Sequence, residues 1–67
     1  MNLTEVNSSN INKIGYEDGN LYVEYKSGST YLYRDFPQNL YESFMNAESK
    51  GRFMNSEVKG KYEYEKI

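Results

Sequence analysis

No cysteine, histidine or tryptophan occurs in this chain of 67 residues. The first two absences remove disulfide staples and zinc sites built from thiolates or imidazoles. They also remove Ser-His and Cys-His nucleophiles, the imidazole proton shuttle and the reactive thiolate. Proline occurs once, at Pro37. No apolar run approaches the ~20 residues that span a bilayer, and no secretory signal opens the sequence. A cytoplasmic protein with no membrane partner is expected, and a chain free of cysteine suits that compartment. Paired carboxylates remain, but Glu17-Asp18 and Glu63/Glu65 sit on turn or strand-like segments with nothing convergent around them, and they read as solvated surface charge. The expectation is therefore no enzyme, no cofactor and no metal.

What is present is aromatic. Eight Tyr and three Phe stand in a chain sized for one domain, residues 1–67. A core this small needs help from a staple, a partner copy or dense aromatic packing. With staples excluded, packing by large rings and homo-oligomerisation are the two sources left. The net charge of −2 argues against a general nucleic-acid coat. Its distribution is uneven: residues 1–36 carry the whole excess of acid, whereas Lys50, Arg52, Lys59 and Lys61 against Glu57 make a locally basic stretch.

Periodicity places the elements. Residues 1–10 are polar, and Asn7-Ser8-Ser9-Asn10 reads as a turn or extended lead-in anchored by Val6. Ile14 and Tyr16 at spacing two mark a short strand over 11–17, ended by Asp18-Gly19, a strong hairpin turn. From Asn20 to Lys26 the chain alternates, with Leu21, Val23 and Tyr25 on one face and Tyr22, Glu24 and Lys26 on the other. The next connection has two readings. A three-residue loop, Lys26-Ser27-Gly28, pairs Leu21 with Tyr33 and Val23 with Tyr31, uniting the bulk on one face. A two-residue Ser27-Gly28 turn sends both tyrosines to the opposite face. The first is favoured, and it leaves Tyr22 and Leu32 on the second face in need of a cover.

Pro37 is expected just inside a helix start. Leu40, Tyr41, Phe44, Met45 and Ala47 then form the apolar stripe of an amphipathic helix lying across the sheet. Ser49 caps a second short helix or turn in which Phe53, Met54 and Val58 add core, and Gly60 ends it. Residues 62–67 alternate with period two and form a candidate C-terminal edge strand. The predicted class is α+β: a three-stranded antiparallel β-meander packed against one amphipathic helix and a short second helix.

The run Val6-x-Ser8-Ser9, then Ile14-Gly15-Tyr16, then Leu21-x-Val23-x-Tyr25-x-x-Gly28 resembles the KTSC domain. So do Tyr31-x-Tyr33, the Phe36-Pro37 step (where the family more often has Val-Pro), Tyr41, Ala47-x-Ser49-x-Gly51-x-Phe53-x-Asn55 and Tyr62. Singly these motifs are weak; their order and spacing over about residues 6–62 are fairly specific. The family is named for the C-terminus of some lysyl-tRNA synthetases and also occurs as small stand-alone bacterial and phage proteins. The resemblance implies a binding domain of bacterial or phage origin, with RNA as the suggested ligand.

Three sites follow as expectations. Tyr22, Leu32 and Arg34 are assigned to a protein partner or a second copy, because Leu offers no stacking face and Glu24 and Asp35 repel phosphate. That interaction module is the leading reading. RNA binding is the alternative, with Lys50, Arg52, Lys59 and Lys61 on phosphate and an exposed tyrosine for stacking. Gly51, Asn55, Ser8 and Ser9 are assigned to the same anion site, although a helix junction and a local turn explain them as well. A pocket for an anionic nucleotide-like ligand near Gly51, at an oligomer boundary, is the third. Tyr31 and Tyr33 are read first as core and only second as a base platform.

Overall fold

The computed structural model describes residues 2–67. The elements run β1 (Thr4–Glu5), β2 (Ile11–Glu17), β3 (Asn20–Tyr25), β4 (Thr30–Tyr33), α1 (Gln38–Asn46), α2 (Lys50–Phe53), a π-helical turn (Met54–Val58) and β5 (Tyr64–Lys66). The five strands form one sheet in chain order, and every neighbouring pair is antiparallel. The predicted class holds, but the three-stranded meander is corrected to a five-stranded sheet. The candidate tail strand is β5. The lead-in supplies β1, two residues too short to show a period, which finds its place only by pairing Thr4 with Ile14 and Glu5 with Lys13.

Both hairpins are governed by positive-φ residues. Asp18 (φ 54°) and Gly19 (φ 79°) together make the two-residue turn whose twist matches that of the flanking strands. At the second hairpin Tyr25 N–H donates to Ser29 O at 2.8 Å, and Gly28 lies at φ 101°. The loop is therefore Lys26-Ser27-Gly28, and Leu21 faces Tyr33, Tyr22 faces Leu32 and Val23 faces Tyr31. This is the register that gathers the apolar bulk on one face.

Ile11 and Ile14 are both fully buried, although a spacing of three would put them on opposite faces of a regular strand. The conflict is resolved by a bulge between Ile11 and Lys13, where Asn12 is the extra residue. Its side chain donates from Nδ2 to Glu24 Oε2 at 2.7 Å, which holds it off the core.

The helices close over the Leu21/Val23 face. Pro37 is the N-cap of α1 (φ −65°, ψ 139°), one place outside the helix rather than inside it. Its carbonyl accepts the Tyr41 N–H at 3.0 Å. Phe36, just before it, is buried; its N–H donates to Gly19 O at 2.8 Å, and its carbonyl accepts the Tyr16 hydroxyl. Tyr16 also stacks on Tyr41 with centroids 4.9 Å apart, which joins β2 to α1. Ser49 caps α2 as expected, its Oγ accepting Arg52 N–H at 3.2 Å. The π-helical turn then closes with Lys59 N–H on Met54 O at 2.8 Å, and both Met54 and Val58 reach the core. Ile11, Ile14, Leu21, Val23, Tyr33, Phe36, Phe44, Met54 and Val58 make one cluster, with rings replacing staples.

Candidate functional site

The helices do not cover the whole inner face of the sheet. At the end where β5 joins β4, register aligns Tyr33 with Tyr64 and Tyr31 with Lys66, so these side chains stand together on the inner face. Tyr25 joins them from β3. Its ring meets Tyr31 edge-on at 5.6 Å, and its hydroxyl lies 3.3 Å from that of Tyr33. Tyr64 sits 5.7 Å from Tyr31 and 5.6 Å from Tyr33, centroid to centroid. Four rings from three strands thus form one contiguous aromatic wall.

Opposite the wall runs the segment after the π-helical turn. Tyr31, Tyr33, Tyr64, Lys59 and Gly60 enclose a pocket of about 320 Å³. Gly60 has φ 81°, the left-handed conformation that turns the chain back toward β5. A second hollow of about 310 Å³ is lined by Ser9, Asn10, Tyr25, Lys26, Ser27 and Lys59. Lys59 lines both hollows. A backbone bond from Lys26 N–H to Asn10 O at 2.8 Å ties the hairpin tip to the floor of the second hollow. In a protein of net charge −2, no acidic side chain lines either one.

Burial pushes the Tyr33 hydroxyl well above the ordinary phenol value, and its hydrogen bond to Tyr25 adds to the rise. Tyr25 is raised too, chiefly by burial and despite the opposing effect of that bond. Both phenols are therefore neutral at physiological pH. The unfolded chain ionises these groups near 10.0 while the fold keeps them protonated. The unfolded state then binds fewer protons, so their contribution to stability is complete below pH 10.0 and is lost as pH rises above it. Tyrosinate absorbance is expected to show a late-ionising class that contains Tyr25 and Tyr33, with unfolding coupled to it. All eight tyrosines ionising together ahead of unfolding would contradict this.

The other predicted site residues are dispersed. Tyr33 belongs to the core, at 4% exposure, and Tyr31 packs against it half-buried; both line the pocket. Lys59 and Ser9 line the hollows, while Lys61 is exposed close by in the chain. Ser8 does local work, its Oγ accepting the Asn10 and Ile11 amides at 3.3 Å each. Lys50 is turned back onto Ala47 O at 2.6 Å, and Asn55 is exposed on the π-helical turn. Arg52 opens on a different hollow, shared with Glu48 and Glu57, and Gly51 lines none of the three. The anion site expected around Gly51 therefore does not converge. Tyr22 and Leu32 are direct cross-strand neighbours on the face opposite the helices, both half-buried, and Arg34 forms an ion pair with Glu65.

Sequence reading missed Tyr25, Lys26, Gly60 and Tyr64 as pocket residues. The signal for Tyr25 was present, since it shares the Leu21/Val23 face; Tyr64 becomes a neighbour of Tyr33 only through the β4–β5 pairing.

No helix among the described residues is long and apolar enough to cross a membrane. The family model of the KTSC domain matches residues 7–62. The fold is similar to the crystal structure of a KTSC domain protein from Yersinia pestis, with a TM-score of 0.92 and 39% sequence identity over 98% of this chain and 96% of that one. No curated protein matches the chain. With the match covering most of its length and carrying the paired tyrosines of the aromatic wall, the chain belongs to the KTSC domain family.

Proposed function

We propose that this domain is a non-catalytic cytoplasmic module that binds a short single-stranded segment of RNA at the tyrosine-lined pocket. One observation carries the reading: an acidic protein gathers four tyrosine rings and two lysines around two hollows that share Lys59 and are free of carboxylates. Aromatic faces take unstacked bases, and lysines take the phosphates between them. The half-buried Tyr31 and exposed Tyr64 offer the ring surface; Tyr33 and Tyr25 brace them from behind. Neutral phenols can donate hydrogen bonds to base edges without repelling phosphate. Lys26 and Lys59 line the same hollow as Tyr25, and Lys66 is aligned with Tyr31. The chain contains neither His nor Cys, and the pocket lining holds no carboxylate, which favours binding over chemistry. The test is titration of a fluorescently labelled single-stranded RNA at low and moderate salt. Saturable binding that weakens as salt rises is expected; absence of binding at low salt refutes the reading.

A second reading rests on a different face. Tyr22 and Leu32 lie side by side where no helix covers the sheet, a small apolar patch with a polar rim of Glu24, Lys13 and the Arg34–Glu65 pair. Here the ligand is a protein partner. Tyr22→Glu and Leu32→Glu are expected to stay folded and lose a partner captured by affinity from host lysate. Unchanged capture by both variants removes this reading.

A further inference from the structure

We infer that β5 is a docking edge for the β5 of a second copy, so that two five-stranded sheets continue as one across a two-fold axis at Glu65. This proposal stands independently of RNA binding.

All three residues of β5 are exposed, and Tyr64 at 60% and Ile67 at 61% are the large hydrophobics left exposed among the described residues. The opposite edge, β1, is only two residues long and offers no comparable template. On its inner side β5 is paired by Arg34 N–H on Glu63 O and Ile67 N–H on Thr30 O, each 2.8–2.9 Å, with Leu32 opposite Glu65. Residues 63, 65 and 67 therefore point their backbone groups at β4. By the alternation of an antiparallel ladder, the N–H and C=O of Tyr64 and Lys66 point outward, with no strand to receive them.

That parity restricts what can dock. An incoming antiparallel strand must present outward-pointing residues opposite Tyr64 and Lys66, and a symmetric pair does so about Tyr64, Glu65 or Lys66. An axis at Lys66 sets two ammonium groups face to face. An axis at Tyr64 sets Glu63 against Glu65 twice. The axis at Glu65 pairs Tyr64 of each copy with Lys66 of the other, which gives two ring–cation contacts and two hydrogen-bonded residue pairs. The glutamates brought together at the axis are each already matched by their own Arg34. This register alone sets the outward residues of one β5 against those of the other, and the like charges it brings together are each matched within their own copy, so the edge is complementary to itself.

The experiment uses the whole chain: sedimentation velocity over a wide concentration range, with amide hydrogen exchange at Tyr64 and Lys66. A reversible dimer is expected, with protection of those two amides that grows with protein concentration. Lys66→Pro deletes an outward N–H without touching the bonds to β4, and it should weaken the dimer roughly 100-fold, given one hydrogen bond lost in each residue pair and so two per dimer. Lys66→Glu, which leaves the backbone intact, should weaken it as well. A protein that stays monomeric with freely exchanging Tyr64 and Lys66 amides overturns the proposal. So does a dimer that survives both substitutions.

Discussion

Lys59→Glu is expected to abolish RNA binding while leaving the fold unchanged. Lys59 is exposed, and it is the one side chain shared by the two hollows. Reversing its charge therefore removes a phosphate contact from both and adds repulsion to each. The residues that bury against the sheet from this segment are Met54 and Val58, so the thermal transition should not move. Tyr31→Ala and Tyr64→Ala provide the complementary measurement. Each removes one stacking face, at about 1–3 kcal/mol per base, or roughly a 5- to 150-fold loss of affinity. The two kinds of variant differ in how they respond to salt. Loss of a phosphate contact makes the salt dependence shallower, whereas loss of a ring lowers affinity at every salt concentration alike. Anisotropy titrations of the three variants at several salt concentrations check this. Wild-type affinity in Lys59→Glu would remove RNA from the pocket, whatever else the domain binds.

Phe44→Ala is expected to leave the chain largely unfolded at physiological temperature. Phe44 is fully buried and stacks on Phe53 with centroids 5.0 Å apart, and it is the one residue of α1 that is completely enclosed. Truncating a buried Phe costs about 3–5 kcal/mol, from lost transfer energy and from the cavity left behind. At roughly 0.05–0.15 kcal/mol per residue, a domain this small has a total stability of the same order. The melting temperature should fall by roughly 12–40 °C, since 1 kcal/mol shifts it about 4–8 °C in a domain of this size. A fall of only a few degrees would mean that α1 can be loosened without cost to the sheet. The rings would then not be substituting for the missing staples. Thermal and urea denaturation followed by circular dichroism provide the measurement.

The core and the pocket differ in how far the sequence reveals them. Alternation at Leu21, Val23 and Tyr25, the Asp18-Gly19 turn and the Leu40–Met45 stripe are local signals that depend on side-chain direction and backbone sterics, and each appears in the fold; Ala47, read as part of that stripe, is instead the extended C-cap just outside α1. The three-residue loop was also legible, because only that register puts Tyr33 beside Leu21. Ile11 was not. A spacing of three from Ile14 reads as the wrong face, and the bulge that reverses it is driven by the gain from burying both isoleucines together. The basic stretch misled for a related reason. Lys50, Arg52 and Lys59 are near in sequence, but α2 and the π-helical turn rotate them to different surfaces, where Lys50 caps a carbonyl and only Lys59 faces the tyrosines.

By itself the chain determined that stability must come from phenol and phenyl rings, that the central strands β2 to β4 precede the helices, and which family pattern it carries. These follow from composition and from periods of two and of about 3.6, which a sequence displays directly. Tertiary structure alone decided that β5 lies against β4, turning Tyr64, Tyr31 and Tyr33 into a wall with Lys59 opposite. The reason is distance along the chain: residues some thirty positions apart meet only because the helices occupy the other end of the inner face. No local pattern records where that cover stops.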